Sequence, residues 1–496
     1  MRVTNNMMRS NSLMNMQKNK NVYNKYLQQY NTQKKIQRPS DDPTVAVREL
    51  KFRTELAEIS QYKSNIEDAL SWMNETETVL GQIADRLDDI EYYCTQAATG
   101  TYDAKQRADI VAQLKEYAEY IYEQCANHDY AGRYIFTGHR TDVPLLFKEA
   151  QSNITYTITE NLDINSIIKY DYVYGEASYD DAKSAEDYAN EASLFQTTHR
   201  ILLSYDNCDK DGQDVTLTYT DAQGNTKTVT AITKSVSDDA TYNEHLHPGE
   251  NEVYYVPETG EIVFGDAVYD DIRAGSGLSV IYQKTEFSKN DIRPEHYFVC
   301  STLDNSTGET AKYTNAGKQN INYQVNFNQT LTVNTEACNA ISMSTGRAIE
   351  DIINRCNDID VIEQKLAEVK KRISDCDEGD TETLDNLNEL KSQIETQLAL
   401  EKTVLTNAFG STITICQKEI TNLGVAEADH GSRYARLEMT QKRLEEQEID
   451  TEEAQSDNMD ADLGEAYIQF NEANLLYQAI LNATSQILGQ SLLDFI

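Results

Sequence analysis

The stretch LGEAYIQFNEANLLYQAILNATSQILG, residues 463–489, decides the fold. Apolar or small side chains recur along it at alternating spacings of three and four, at Leu463, Ala466, Phe470, Ala473, Tyr477, Ile480, Thr484 and Ile487. Such spacing, with no proline to interrupt it, lines one side of a helix with an apolar seam. Because an amphipathic helix of this kind is only marginally stable alone in water, the seam needs a partner.

The first forty residues offer that partner. A similar pattern passes through Leu13, Met16, Tyr23, Leu27 and Tyr30, with Lys20 interrupting it in register. We expect residues 1–42 and 457–496 to pair with each other as coiled helical segments, or each with copies of itself. The assembly seam is the name we give to Leu13, Met16, Tyr23, Leu27, Tyr30, Leu463, Ala466, Phe470, Ala473, Tyr477, Ile480 and Ile487.

The charges of the two ends favour this pairing. Residues 1–40 hold eight basic residues and no acid, whereas residues 444–496 hold twelve acids and no base. Complementary charge beside a coiled seam selects partner and orientation. Each exposed pair adds little stability and weakens with salt. The alternative is two separate helices whose charged faces are merely solvated.

The composition of the remaining chain disfavours several classes of partner. The net charge is −38, and without the first forty residues 36 basic residues face 82 acidic ones, so the body is strongly acidic. This disfavours nucleic acid and anionic membranes as partners. No window approaches the roughly eighteen uncharged apolar residues of a membrane span, and the start lacks the apolar core of a cleavable signal peptide. Composition alone therefore favours the cytoplasm.

The eight cysteines and the prolines give further information. The cysteines are scattered with no C-x-x-C spacing, so they indicate neither a zinc site nor a disulfide framework. All six prolines lie outside 44–143 and 295–496, where helical periodicity dominates. Heptad spacing runs from Phe52 to Met73 and resumes, after a phase shift, from Leu80 towards Gly100. A second helix is predicted over about 103–126, antiparallel to the first.

The middle of the chain changes character. Alternating residues and turn signals predict hairpins at 215–232 and 253–264, and further strands at 278–282 and 321–333. Helices return beyond residue 345, with a bend at 375–383. We predict an α+β protein: an elongated, discontinuous helical bundle formed by both chain ends, with a β-rich domain inserted between them. Its predicted parts are a helical core of 43–140 continued by 336–456, the inserted domain 141–335, and the coiled segments 1–42 and 457–496.

Several motifs resemble a known family. The segment Arg38-Pro39-Ser40-Asp41-Asp42-Pro43 before a long heptad helix resembles the N-terminal signature of bacterial flagellins and hook-associated proteins. The acidic turn 456–462 before the last helix also resembles that family. The closing residues, which include Ser491, Leu492 and Leu493, are more similar to the hook-filament junction branch than to filament flagellin. The resemblance covers roughly 1–147 and 320–496, and the helical stretch 361–402 looks like an insertion.

The resemblance implies a structural subunit that joins hook to filament. Such proteins are exported unfolded without a cleaved signal peptide, which implies an extracellular location in the flagellum. Their ends pair as helices on assembly. The implied partners are other copies of the chain, a neighbouring hook-associated protein, flagellin and an export chaperone. No enzyme activity, cofactor or membrane insertion is implied.

Three alternatives remain open at this point. One is filament flagellin, and another is an intracellular coiled-coil scaffold. The third is an adhesin or metal-binding protein acting through the β-rich domain, suggested by His245, His247 and Glu252 and by tyrosines at 170, 172 and 174 on one strand face. A metal site needs more converging ligands, and cross-strand packing is the ordinary explanation for alternating tyrosines. We therefore expect no catalytic, cofactor or metal residue.

Overall fold

The computed structural model describes residues 5–99, 102–180, 182–190, 193–210, 212, 214–376 and 380–489. Helices occupy both ends of the chain and a β-rich region lies between them, which confirms the predicted fold class. The backbone divides into two compact units. The first unit comprises Met1–Leu70, Tyr323–Leu331 and Ala435–Ile496, and the second comprises Ser71–Asn322 and Thr332–Tyr434.

Long helices account for most of both chain ends. The helices are α1 (Asn5–Thr32), α2 (Pro43–Thr99), α3 (Ala104–Glu119), α4 (Ala185–Asn190), α5 (Asp266–Arg273), α6 (Ala337–Ala340), α7 (Ser344–Asp375), α8 (Thr381–Met459) and α9 (Leu463–Gly489). Asp103 begins α3 through a capping box with Gln106, and a π-helical turn at Tyr120–Cys125 completes the predicted second helix. None of the described helices is both long and apolar enough to cross a membrane.

The buried stripe of α2 is continuous where the sequence suggested a phase shift. Thr76 is fully buried between Met73 and Leu80, and its hydroxyl donates to the carbonyl of Trp72 at 2.9 Å. The threonine therefore occupies an apolar position of the heptad without leaving a polar group unsatisfied. The prediction of a phase shift was wrong because a buried threonine continues the stripe.

Helix α2 runs antiparallel to α8 within each unit. In the first unit Lys63 pairs with Glu448 at 2.6 Å. In the second unit the ring of His430 contacts the carbonyl of Met73 at 2.9 Å. Arg107 of α3 reaches Glu363 of α7 at 3.1 Å, so the second unit also brings α3 against α7.

Two antiparallel sheets form the β-rich region of the second unit, and the predicted hairpins 215–232 and 253–264 belong to them. Along the described residues, the strands of the chain are β1 (Asp129–Tyr130), β2 (Arg133–Tyr134), β3 (Ile154–Leu162), β4 (Ile168–Tyr174), β5 (Leu194–Leu202), β6 (Thr216–Thr220), β7 (Thr226–Thr230), β8 (Ile232–Thr233), β9 (Val253–Val256), β10 (Glu261–Phe264), β11 (Ser276–Lys284), β12 (Val299–Asp304), β13 (Thr310–Tyr313), β14 (Asn322–Asn326) and β15 (Gln329–Thr332). The pairs β1–β2 and β14–β15 are separate two-stranded sheets, and residues 323–331 of the second pair belong to the first unit. One sheet has the order β13-β12-β3-β11-β6-β7 and the other β4-β5-β10-β9-β8, whose last pair is parallel.

A shared core joins the two sheets. Leu217 and Val280 of the first sheet lie in one cluster with Ile201, Tyr255 and Ile262 of the second. The β9–β10 turn ends at Gly260, whose φ is +61° and where a Cβ would lie 1.9 Å from the carbonyl oxygen of Tyr205. Only glycine fits this turn, which is why the sequence signal there was accurate.

A buried charged group connects this β region to the helices of the second unit. Arg200 of β5 is 1% exposed and donates to Glu261 of β10 and to Asp351 of α7, each at 2.6 Å. The carbon at the centre of its guanidinium lies 3.4 Å from the ring centroid of Tyr170 on β4. This side chain of β5 thus contacts two other strands and a helix.

The helical stretch 361–402 is a hairpin of α7 and α8 that bends where the sequence predicted. Ile362, Leu366 and Val369 of α7 pack against Leu390 and Ile394 of α8. Tyr188 of α4 and Ala177 join the same cluster, so a segment between β4 and β5 covers the hairpin.

All eight cysteines lie in the described part of the chain and are unpaired there. Burial raises the pKa of the thiols of Cys208, Cys300, Cys338 and Cys416 to about 12. Because the thiolate is the reactive form, these cysteines behave as small apolar residues.

Candidate assembly surface on the terminal helices

Aromatic side chains join α1 to α9. The ring of Tyr23 lies 5.6 Å from that of Phe470 and 5.5 Å from that of Tyr477, measured between centroids. The ring of Tyr30 lies 5.8 Å from those of Tyr467 and Phe470. Ring pairs at these separations stabilise a contact beyond the area that they bury.

The residues of the assembly seam differ in burial. Ala466 and Ala473 are buried, as is the neighbouring Thr484. Half-buried members of the seam are Met16, Tyr23, Leu27, Phe470, Tyr477 and Ile480. Leu13 and Leu463 are 44% and 49% exposed, and Tyr30 is 37% exposed although its ring is packed. The side chain of Ile487 and residues Ser491, Leu492 and Leu493 lie outside the described part.

A second apolar surface on α9 was missed by the sequence reasoning. Ile468, Leu475 and Leu476 are 58%, 67% and 53% exposed, and we call them the outer stripe. The signal was present in the sequence, because these residues fall between the seam positions and make the helix apolar on more than one side. On α1 the exposed apolar residues Met7, Met14 and Val22 are also off the seam.

The first unit also exposes apolar side chains away from α1 and α9. Phe327, at the tip of the β14–β15 hairpin, is 72% exposed. A shallow groove of about 550 Å³ beside it is lined by Val47, Leu50 and Leu444. The side chain of Asn65 anchors the hairpin by donating to the carbonyl of Gln324 at 2.8 Å.

The motif Pro39-Ser40-Asp41-Asp42-Pro43 forms the turn between α1 and α2. The carboxylate of Asp41 accepts from the backbone nitrogens of Gln37 and Arg38 at 3.1 and 2.9 Å, and these bonds lower its pKa. Asp42 accepts from the backbone nitrogen of Thr44 at 2.9 Å, and Pro43 is the first residue of α2. Asp42 therefore caps the N-terminus of α2, whereas Asp41 satisfies backbone donors of the turn that precedes it.

The residues that suggested a metal site face different partners. The ring of His245 contacts Asp239, that of His247 contacts the hydroxyl of Tyr172 at 2.7 Å, and Glu252 accepts from the backbone of Gly249 at 3.1 Å. Across the described ranges no group of three or more His, Cys, Asp or Glu residues could hold a metal ion.

The tyrosines on β4 pack in a core rather than forming an open surface. Tyr170 and Tyr172 are 5% and 1% exposed, in a cluster with Leu246, Val256 and Val263. Tyr174 packs against the same cluster.

Family comparison accounts for the two helical ends. The model of the bacterial flagellin N-terminal helical region matches residues 3–141, and that of the flagellin C-terminal helical region matches residues 413–496. Both ends of the chain are thus similar to the helical regions of bacterial flagellin. The two matched regions contain α1, α2, α3 and α9, so the contacts between α1 and α9 lie within the parts of the chain that these models match.

Two curated relatives of this chain are hook-associated proteins. Flagellar hook-associated protein 3 of Escherichia coli is 28% identical over 118 residues, which are 24% of this chain and 37% of that protein. Flagellar hook-associated protein 3 of Salmonella typhimurium is 26% identical over 142 residues, 29% of this chain and 45% of that protein. The chain thus spans less than half the length of either relative.

Among solved structures, flagellar hook-associated protein 3 of Legionella pneumophila is similar at a TM-score of 0.26 and 10% identity. The match covers 81% of this chain and 96% of that one. A TM-score this low does not establish a common arrangement, so the similarity to bacterial flagellin depends on the matches at the two ends.

Proposed function

We propose that this protein is a structural subunit of the bacterial flagellum that joins hook to filament and assembles through α1 and α9. The observation that supports this function best is the outer stripe. Ile468, Leu475 and Leu476 stay exposed although α1 is already packed against α9. Apolar surface left open on a paired helix is favourable to cover, and copies of the same chain can cover it.

The partners follow from the same proposal. They are other copies of the chain, an earlier hook-associated protein on the hook side, and flagellin on the filament side. An export chaperone would cover α9 before assembly, since exposed apolar residues on that helix would otherwise associate too early. The names of the relatives support a location in the flagellum. We propose that the protein reaches it by export without a cleaved signal peptide. The proposal assigns the chain no catalysis.

Filament flagellin is the second candidate, because the family matches fit it equally well. The two roles differ in where the protein lies. A junction protein occupies a short zone between hook and filament, whereas flagellin extends along the whole filament. Gold-labelled antibody against a tag in the exposed 305–309 turn, in cells lacking the native copy, distinguishes these patterns by electron microscopy.

One substitution tests the outer stripe directly. Leu475→Asp places a charge on the stripe without disturbing the rings at Phe470 and Tyr477, so we expect a folded protein that no longer joins hook to filament. Gln478→Asp is the matched control, because it adds the same charge to an exposed polar position of α9. Normal incorporation of Leu475→Asp would contradict assembly through this surface.

A further inference from the structure

A short backbone bridge fastens the segment after α1 to the segment before α9. The backbone nitrogen of Ala461 donates to the carbonyl of Gln33 at 2.9 Å, and that of Lys35 donates to the carbonyl of Met459 at 2.7 Å. Between these bonds Lys34 and Asp460 are opposite each other as an isolated antiparallel β-bridge. Their side chains also form an ion pair.

Neighbouring groups hold this bridge in place. The hydroxyl of Ser456 donates to the second carboxylate oxygen of Asp460 at 2.8 Å, and the ammonium of Lys35 donates to the carbonyl of Asp457. The hydrogen bond from Lys34, followed by that from Ser456, lowers the pKa of Asp460. Gln33 adopts a φ of +58°, a left-handed conformation that is unfavourable for glutamine. Such a conformation persists only where the surrounding contacts determine it.

The seam alone does not fix how α1 and α9 are aligned. It repeats every three or four residues, and a slip of seven residues would bring a similar set of apolar side chains together. Such a slip would move the neighbours of Tyr30 from Tyr467 and Phe470 to Asn474 and Tyr477. A polar residue inside a seam can prevent slipping, but Lys20, the one that the sequence offered, is exposed.

We infer that the bridge centred on Lys34 and Asp460 sets the register in which α1 and α9 pair, so that these two are positioning residues for the assembly surface. The inference depends on the proposed function only in assigning that surface its role. The bridge is suited to this task because it is not periodic. Its backbone bonds and its ion pair are satisfied together in one alignment, whereas the apolar contacts are satisfied in several.

A photo-crosslinking experiment reads the register directly. Tyr30 of the full-length protein is replaced by p-benzoylphenylalanine, the purified protein is irradiated, and the adducts within one chain are mapped by mass spectrometry. The parent should give adducts at 467 and 470. In Lys34→Glu, which sets two carboxylates against each other, we expect the yield at these positions to fall about fivefold, with new adducts displaced by seven residues.

Two controls make the result specific. Lys34→Glu combined with Asp460→Lys restores an ion pair of reversed polarity and should restore the adducts at 467 and 470. Lys18→Glu makes the same charge change at an exposed position of α1 outside the bridge, and should leave the adducts unchanged.

The inference fails if Lys34→Glu gives the parental adduct pattern, or if the parent itself has no adduct at 467 or 470. Incorporation between hook and filament is scored separately. A parent protein with the expected adducts that never joins hook to filament would refute the proposed function and leave the register inference intact.

Discussion

At the scale of single residues, Arg200 is the side chain whose removal should cost most. Its ion pairs with Glu261 and Asp351 are buried, so Arg200→Met leaves the buried carboxylate of Glu261 without the cation that it pairs with. We expect a loss of about 3 to 5 kcal/mol in the free energy of unfolding. Urea unfolding followed by the fluorescence of Trp72, the single tryptophan, measures this in the second unit.

A surface arginine provides the comparison for Arg200. Arg372 pairs with Glu368 at 2.8 Å, with side chains 44% and 64% exposed. Arg372→Met should therefore cost much less than Arg200→Met does. Equal losses for the two variants would show that the buried group contributes no more than an exposed ion pair.

Glu419 gives the second unit a predictable dependence on pH. Burial raises its pKa from 4.5 to about 7, although it accepts from the backbone nitrogen of Thr345 at 3.0 Å. Between these values the folded state binds the proton more tightly, so this group lowers the free energy of unfolding as the pH rises. Glu419→Gln should therefore stabilise the protein relative to the parent by about 2 to 3 kcal/mol more at pH 8 than at pH 5. Urea unfolding at both pH values measures this difference in the free energy of unfolding between the variant and the parent. A difference that is the same at pH 5 and pH 8 would contradict the prediction.

At the scale of elements, the pairing of α1 with α9 depends on a small number of rings. Phe470 contacts both Tyr23 and Tyr30, so Phe470→Asp places a carboxylate between two aromatic side chains. We expect the pairing to weaken by about 2 kcal/mol or more, with loss of helical circular dichroism and of incorporation. The fluorescence of Trp72 should not change, and Gln478→Asp should behave as the parent does. If Phe470→Asp were incorporated as the parent is, the assembly seam would not be required for assembly.

The elements that the sequence predicted well are those with local signals. Heptad spacing located α2 and α9, and the turn ending at Gly260 located the β9–β10 hairpin. The order of the strands within each sheet was not predicted. Strand β3 pairs with β11 and β12, which lie more than a hundred residues away, and no local pattern records such a pairing.

The candidate site was predicted in part for a related reason. Periodicity showed that Tyr23, Phe470 and Tyr477 could share a seam, and the structure brings their rings together. It could not show that Leu475 stays uncovered, because spacing tells which residues share a face and not which faces find a partner. The bridge at Lys34 and Asp460 joins residues 426 positions apart and gave no signal beyond opposite charge.

At the scale of the whole molecule, the two ends of the chain carry opposite charges, and each end is therefore cut by a protease of different specificity. Residues 1–40 contain bases and no acid, so trypsin can cut there and a glutamate-specific protease cannot. Residues 444–496 contain acids and no base, so the specificities are reversed. The two enzymes therefore report separately on α1 and α9 in the same protein.

We expect both ends to be cut readily in the dilute protein and to be protected in the assembled flagellum. The exposed side chains of Met14 on α1 and Leu475 on α9 indicate helices with few buried contacts, and such helices open locally at little cost. Assembly covers these side chains, so opening becomes costly and cleavage slows. Trypsin should then spare sites such as Lys18 and Lys25, and the glutamate-specific protease should spare Glu465 and Glu472. Resistance of either end in the dilute protein would mean that the terminal helices are already stable alone, and that assembly is not what completes them.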